Sequence, residues 1–123
     1  ILIVQINPIE RKGVPRSAQE IENRVNEISF NASLLGELRA IDFVRRLIAD
    51  GHMSADKMKS LNIHSIADDE TMRQLGVATK LSPTPSLLGH LHRAGVNAAD
   101  AFIRNDGAKI GTESSCDIRQ LFV

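Results

Sequence analysis

Ile1-Leu2-Ile3-Val4-Gln5-Ile6 is a near-continuous run of β-branched and apolar residues, closed by Asn7-Pro8. Such a run predicts a strand buried on both faces, as in the interior of a parallel sheet. It is too short for the core of a signal peptide and no basic residues precede it. The next extended pattern, Leu61-Asn62-Ile63-His64-Ser65-Ile66, predicts a second short strand. What lies between the two runs is helical. Ser17 followed by Glu20 forms the capping-box pattern of a helix start. Apolar residues then recur at Ile21, Val25, Ile28, Leu34, Leu35, Leu38, Ile41, Val44, Leu47 and Ile48, and Gly51 stands at the end as a C-cap. A strand, a helix and a strand in that order predict a βαβ crossover with parallel strands. The helix is long, and the segment Asn31 to Gly36 is its weak point, so a kink or a division into two helices is expected there.

The rest of the chain reads as loops and short helices. His52 to Lys59 is polar. Asp68 or Asp69 caps a short helix that carries Met72 and Leu75 and stops at Gly76. Thr84 and Pro85 are an N-cap and a first helical residue. The helix they open carries Leu87, Leu88, Leu91 and Ala94 and is expected to end at Gly95. Asn97 then caps another, through Ala98, Ala101, Phe102 and Ile103 to Gly107, and Ser114 or Ser115 caps a last turn through Ile118 and Leu121. The fold class is therefore α/β and predominantly helical: one long or kinked helix between two short strands of a parallel sheet, followed by several short helices. Residues 1–123 form a single segment. Two parallel strands do not make a stable sheet by themselves. Because the chain also opens inside a strand without an initiator Met, further strands upstream are expected.

Composition narrows the function classes. Lys plus Arg and Asp plus Glu are 15 each, so the formal net charge is zero and nothing recruits a polyanion such as nucleic acid. No apolar run approaches the ~20 residues of a membrane span. A single cysteine, Cys116, precludes an internal disulfide and suits a reducing, cytoplasmic compartment. Aromatic residues are few, with neither Trp nor Tyr, so the core must be aliphatic.

Val4-Gln5-Ile6-Asn7-Pro8-Ile9-Glu10-Arg11, followed by Val14-Pro15-Arg16-Ser17-Ala18-Gln19-Glu20-Ile21, resembles the C-terminal half of bacterial patatin-like phospholipases. The similarity continues through Asn23 to Leu35, Glu37 to Ile41 and Phe43-Val44. It returns at Ile63 to Ile66, at Leu75-Gly76-Val77, at Lys80-Leu81 and from Leu88 to Asp100, and so covers most of the chain. The block from Asn26 to Ile41 is its most specific part. The resemblance implies a three-layer α/β acyl-ester hydrolase with a Ser–Asp dyad and no metal or organic cofactor. It implies a nucleophile in G-x-S-x-G, a glycine-rich oxyanion loop and an Asp in D-G-G or D-G-A. In such an enzyme the Asp takes the Ser proton while backbone N–H groups stabilise the oxyanion.

None of the Ser residues here has Gly two before and two after. Asp106-Gly107-Ala108 spells D-G-A, but it stands where a helix ends and Gly serves as a cap. The family's Asp also precedes the segment that begins like this chain. No catalytic residue is therefore assigned. The expectation is a non-catalytic C-terminal portion whose partners are the upstream catalytic part and the lipid or acyl-ester substrate of the whole. An exposed edge at Ile1 to Ile6 would also let copies of the chain pair. The alternative is an autonomous helical module that binds another protein.

One segment comes close to chemistry. The loop from Asn7 to Arg16 leaves the carboxyl end of a sheet strand, where open α/β sheets bind ligands. Asn7, Pro8, Glu10 and Arg11 are its candidate cleft-shaping residues, although a plain rigid connection would use the same two prolines. Asn23, Asn26 and Asn31 are costly in a helix, and read as side chains that bond a neighbouring loop or mark a kink. His90 and His92, two apart on a helix, face different ways and do not share an ion with His64. Arg39, Arg45 and Arg46, balanced by Glu37, Asp42 and Asp50, read as a solvated helix face.

Overall fold

A computed structural model of the chain describes residues 1–76, 79 and 81–122. Val77 and Lys80, which carry part of the resemblance, lie outside the described residues. Strand β1 (Leu2–Gln5) is followed by helix α1 (Ala18–Ala49), strand β2 (His64–Ala67), helix α2 (Asp69–Gln74), helix α3 (Pro85–Asp106), a 3₁₀ turn (Gly107–Lys109) and helix α4 (Ile118–Phe122). The two strands pair in parallel, with Leu2 opposite His64 and Gln5 opposite Ala67. No helix among the described residues is long and apolar enough to cross a membrane.

Local chemistry explains the ends of α1. The Ser17 side chain accepts from the Glu20 backbone N–H at 3.2 Å, and the Glu20 carboxylate accepts from Ser17 N at 3.2 Å and Arg16 N at 2.7 Å. Those backbone donors hold the Glu20 carboxyl below its ordinary range. At the other end Gly51 takes φ +75°, its N–H bonds Ile48 O and His52 N–H bonds Leu47 O. These are the two bonds of a Schellman ending, which needs a residue that tolerates left-handed backbone.

Between those ends α1 is one helix of 32 residues, about 48 Å long. The expected break at Asn31 to Gly36 does not occur. Asn31 turns its amide away from the helix and donates to Pro8 O at 3.1 Å, while Asn26 donates back to Glu22 O at 2.9 Å. Neither bond breaks the helix: Asn31 serves a carbonyl outside it, and Asn26 shares the Glu22 carbonyl one turn back.

The hydrophobic centre lies between α1 and the sheet, where buried Leu38, Ile63 and Ile118 meet and Ile3, Leu34, Leu35 and Ile41 pack around them. The sequence offers Ser114 or Ser115 as the cap of the last helix. They instead hold the second strand run. Ser114 Oγ accepts from Ile63 N at 3.0 Å and Ser115 N donates to Ile63 O at 3.1 Å. The cap of α4 is Asp117, whose Oδ1 accepts from Arg119 N at 2.8 Å.

Two further expectations are corrected. The second strand begins at His64 rather than Leu61, and the first is not covered on both faces. Ile3 packs into the core beside α1 and Gln5 is half-buried, but Leu2, Val4 and Ile6 are 46%, 66% and 59% exposed. Their face is open because α3 packs over β2. The alternation of a parallel ladder also leaves the backbone N–H and C=O groups of Leu2, Val4 and Ile6 on the edge away from β2. In addition, α3 runs through Gly95 and Asn97 as a single helix of 22 residues. Thr84 caps it, accepting from Leu87 N at 3.2 Å. Glycine inside a helix costs about 1 kcal/mol relative to alanine, too little to end one that is capped at its start and buries Ala94 and Phe102.

A Cβ added at Gly95 would meet no atom within 4 Å. Gly95→Ala is therefore expected to raise the unfolding free energy by about 0.5–1 kcal/mol in urea titration. A loss of stability would mean that the helix is broken there. Ser114→Ala strands the N–H of Ile63 and is expected to lower stability by about 1–3 kcal/mol in the same titration.

Candidate functional site: the groove at the carboxyl ends of the strands

The loop after β1 is held by one face of α1. Asn7 and Pro8 are buried, and Pro8 O receives the Asn31 amide. Two turns back, Arg24 donates to Ile9 O at 3.2 Å. Between them stands buried Glu27, gripped by Arg11 through Nε at 2.9 Å and Nη2 at 2.7 Å, with Arg24 Nη1 at 3.4 Å. The bond to Glu27 raises the Arg11 pKa above its ordinary value. Arg11 also donates to Arg73 O at 3.2 Å, at the end of α2. A carboxylate with two guanidiniums and few water contacts fixes the loop only while the set is complete, because a buried charge left unpaired is costly.

From the strand side, Gln5 Nε2 donates to Asn7 O at 3.1 Å and to Asp69 Oδ1 at 3.0 Å, joining the end of β1 to α2. Asp68 caps α2 by accepting from Thr71 N at 3.0 Å, which lowers its pKa. The loop, both strand ends, α2 and α3 thus surround a half-open cavity of about 440 Å³. Its floor is Val4 and Ile66. Its walls are Met72 and Leu75 on one side and Leu87, Leu91, Ala94 and Ala98 on the other. Among the described residues, its polar lining groups are Gln5, Asn7, Asp68 and Thr79. A mostly apolar concavity with a few polar groups, at the carboxyl ends of parallel strands, has the composition and position of a small-molecule site.

Of the four candidates in the loop, only Asn7 reaches this cavity. Pro8 is buried behind it, Glu10 is exposed and Arg11 points back into the Glu27 network. The sequence reading missed the α3 wall. Leu87, Leu91, Ala94 and Ala98 are spaced for one helical face, but placing a helix end at Gly95 splits that face in two.

The remaining constellations fall apart in space or are engaged. His64 is buried in the sheet with its ring edge-on to Phe102, 6.0 Å between centroids, while His90 and His92 are exposed on α3. Asp106 ends α3 and binds Lys109 at 2.7 Å. Cys116 is half-buried against Ile63 O, and that burial pushes its thiol up.

Asn31→Ala removes the donor that holds Pro8 O, and is expected to cost about 1–3 kcal/mol and to speed amide exchange across residues 7–12. Unchanged exchange there would show that the loop is held by the Arg11–Glu27 network alone. Comparison of the chain with known protein families, with curated proteins and with solved structures finds no match.

Proposed function

We propose that this chain is the non-catalytic C-terminal segment of a patatin-like lipid acyl hydrolase of the cytoplasm, and that its groove forms part of the acyl-ester cleft. The observation that carries the reading is the half-built sheet. A parallel pair with one edge unpaired among the described residues and three exposed apolar residues on one face, Leu2, Val4 and Ile6, is stable when more strands and a covering layer complete it. The rest of the same polypeptide supplies those strands in this account. The resemblance noted from Val4 to Asp100 is what suggests this enzyme class.

The division of labour follows from the residues. The nucleophile, the dyad Asp and the oxyanion donors belong to the remainder of the enzyme. This segment contributes a sheet strand, the long helix behind it and the apolar wall formed by Leu87, Leu91, Ala94 and Ala98. Asp68, ionised at neutral pH, stands beside that wall. It disfavours a carboxylate in the cavity and is compatible with the neutral acyl chain of an ester.

Hydrolysis of p-nitrophenyl butyrate and palmitate by the 123-residue chain and by the longest natural polypeptide containing it tests the reading. Only the longer form is expected to be active, and activity of the chain alone would overturn the assignment. Within the longer form, Ala94→Phe narrows the cavity and is expected to depress kcat/KM for palmitate more than for butyrate. An equal loss on both would remove the cavity from the cleft. The competing function, a free-standing helical module for another protein, draws support from Ile21, Val25 and Ile28, an exposed apolar stripe on α1. It predicts that the isolated chain is a stable monomer and that the longer form gains no esterase activity.

A further inference from the structure

We propose that Arg39, Arg46 and Arg119, gathered around Asp42, form a binding site for a phosphate-bearing anion. The site lies toward the carboxyl end of α1, stands on different residues from the groove and does not depend on the hydrolase reading. Asp42 Oδ2 accepts from Arg46 Nε at 3.1 Å and from Arg119 Nε at 3.3 Å. One oxygen thus draws together guanidiniums from two elements 77 residues apart. Each bond is made through Nε, so neither uses the forked outer end of its guanidinium. The carboxylate lies beneath, 17% exposed, and the Arg46 and Arg119 side chains lie above it at 50% and 57%. Arg39, also exposed, completes a shallow groove with these three residues.

The charges do not cancel. A single carboxylate faces three guanidiniums. Asp117, the nearest acid in sequence to Arg119, is directed at the backbone N–H groups of Arg119 and Gln120 and pairs with none of the three guanidiniums. Glu37 is two positions from Arg39 and on a different face of the helix. Pairing with the helix dipole accounts for Arg46 in the last turn of α1, but not for Arg39, well before it, or for Arg119 on another element. All three are arginine, whose planar fork matches phosphate oxygens two at a time. Phe43 is exposed beside them with its ring centroid 5.8 Å from Arg46 Cζ, within cation–π range.

The phosphate can come from a lipid headgroup or from a soluble phosphate ester. Binding of the chain is therefore measured to phosphatidylglycerol vesicles, to phosphatidylcholine vesicles and, by calorimetry, to sn-glycerol 3-phosphate. Arg39→Gln/Arg119→Gln is compared with the parent after its melting curve has been matched. Arg39→Gln alone, which breaks no ion pair, serves if the double variant unfolds. Binding to phosphatidylglycerol or to glycerol phosphate is expected, falling with added salt and weakened about tenfold or more in the double variant, as expected when charge-assisted hydrogen bonds are lost. Response to phosphatidylglycerol alone assigns a membrane source, and response to glycerol phosphate assigns a soluble one. Binding of neither probe, or equal binding by parent and variants, overturns the proposal.

Discussion

The backbone of Ile63 is bonded on the side that β1 does not use, its N–H to the Ser114 hydroxyl and its C=O to Ser115 N–H. Its side chain has no exposed surface and packs with Leu38 and Ile118. The next residue, His64, opens the ladder to β1 through Ile1 O. One residue therefore ties together the second strand, the middle of α1 and the C-terminal turn. A buried backbone without these partners would cost more than the side chain gains. The register of β2, the position of α1 over the sheet and the mouth of the groove above it all follow from that junction.

The same junction sets what is left open. With the segment 114–116 on one side of β2, β1 is the edge on the other among the described residues, and α3 packs over β2. The apolar residues of β1 that point away from α1 are consequently bare, and the groove at the strand ends has a floor and two walls. These are the features a larger α/β protein covers with further strands, and the acyl-hydrolase reading builds on them. The arginine cluster at the far part of α1 is of a different kind. It is polar, exposed and complete within the chain.

Much of the local structure was legible because it is locally determined. Ser17 with Glu20, Gly51 after α1, Asp68 before α2 and Thr84-Pro85 before α3 each satisfy free backbone groups with neighbours a few residues away, so spacing suffices to find them. The misreadings share a cause in tertiary contact. Gly95 and Asn97 look like a stop and a start, yet burial of Ala94 and Phe102 carries the helix across them. Asn31 looks like a weak point, but its amide serves a carbonyl 23 residues earlier. Ser114 looks like a cap and serves a strand 51 residues away. At the candidate site, Asn7 could be placed because it follows a strand. The wall of Leu87, Leu91, Ala94 and Ala98 could not, once the helix was divided.

The central claim is that β1 is an interior strand of a larger sheet. Hydrogen exchange at single-amide resolution on Val4 and Ile6 tests it directly, in dilute isolated chain and in the longest natural polypeptide that contains it. The account predicts fast exchange at both amides in the isolated chain and protection in the longer one, where a neighbouring strand pairs with that edge. Amides as fast in the longer polypeptide as in the isolated chain would contradict it, since the edge would then be bare in the whole protein as well.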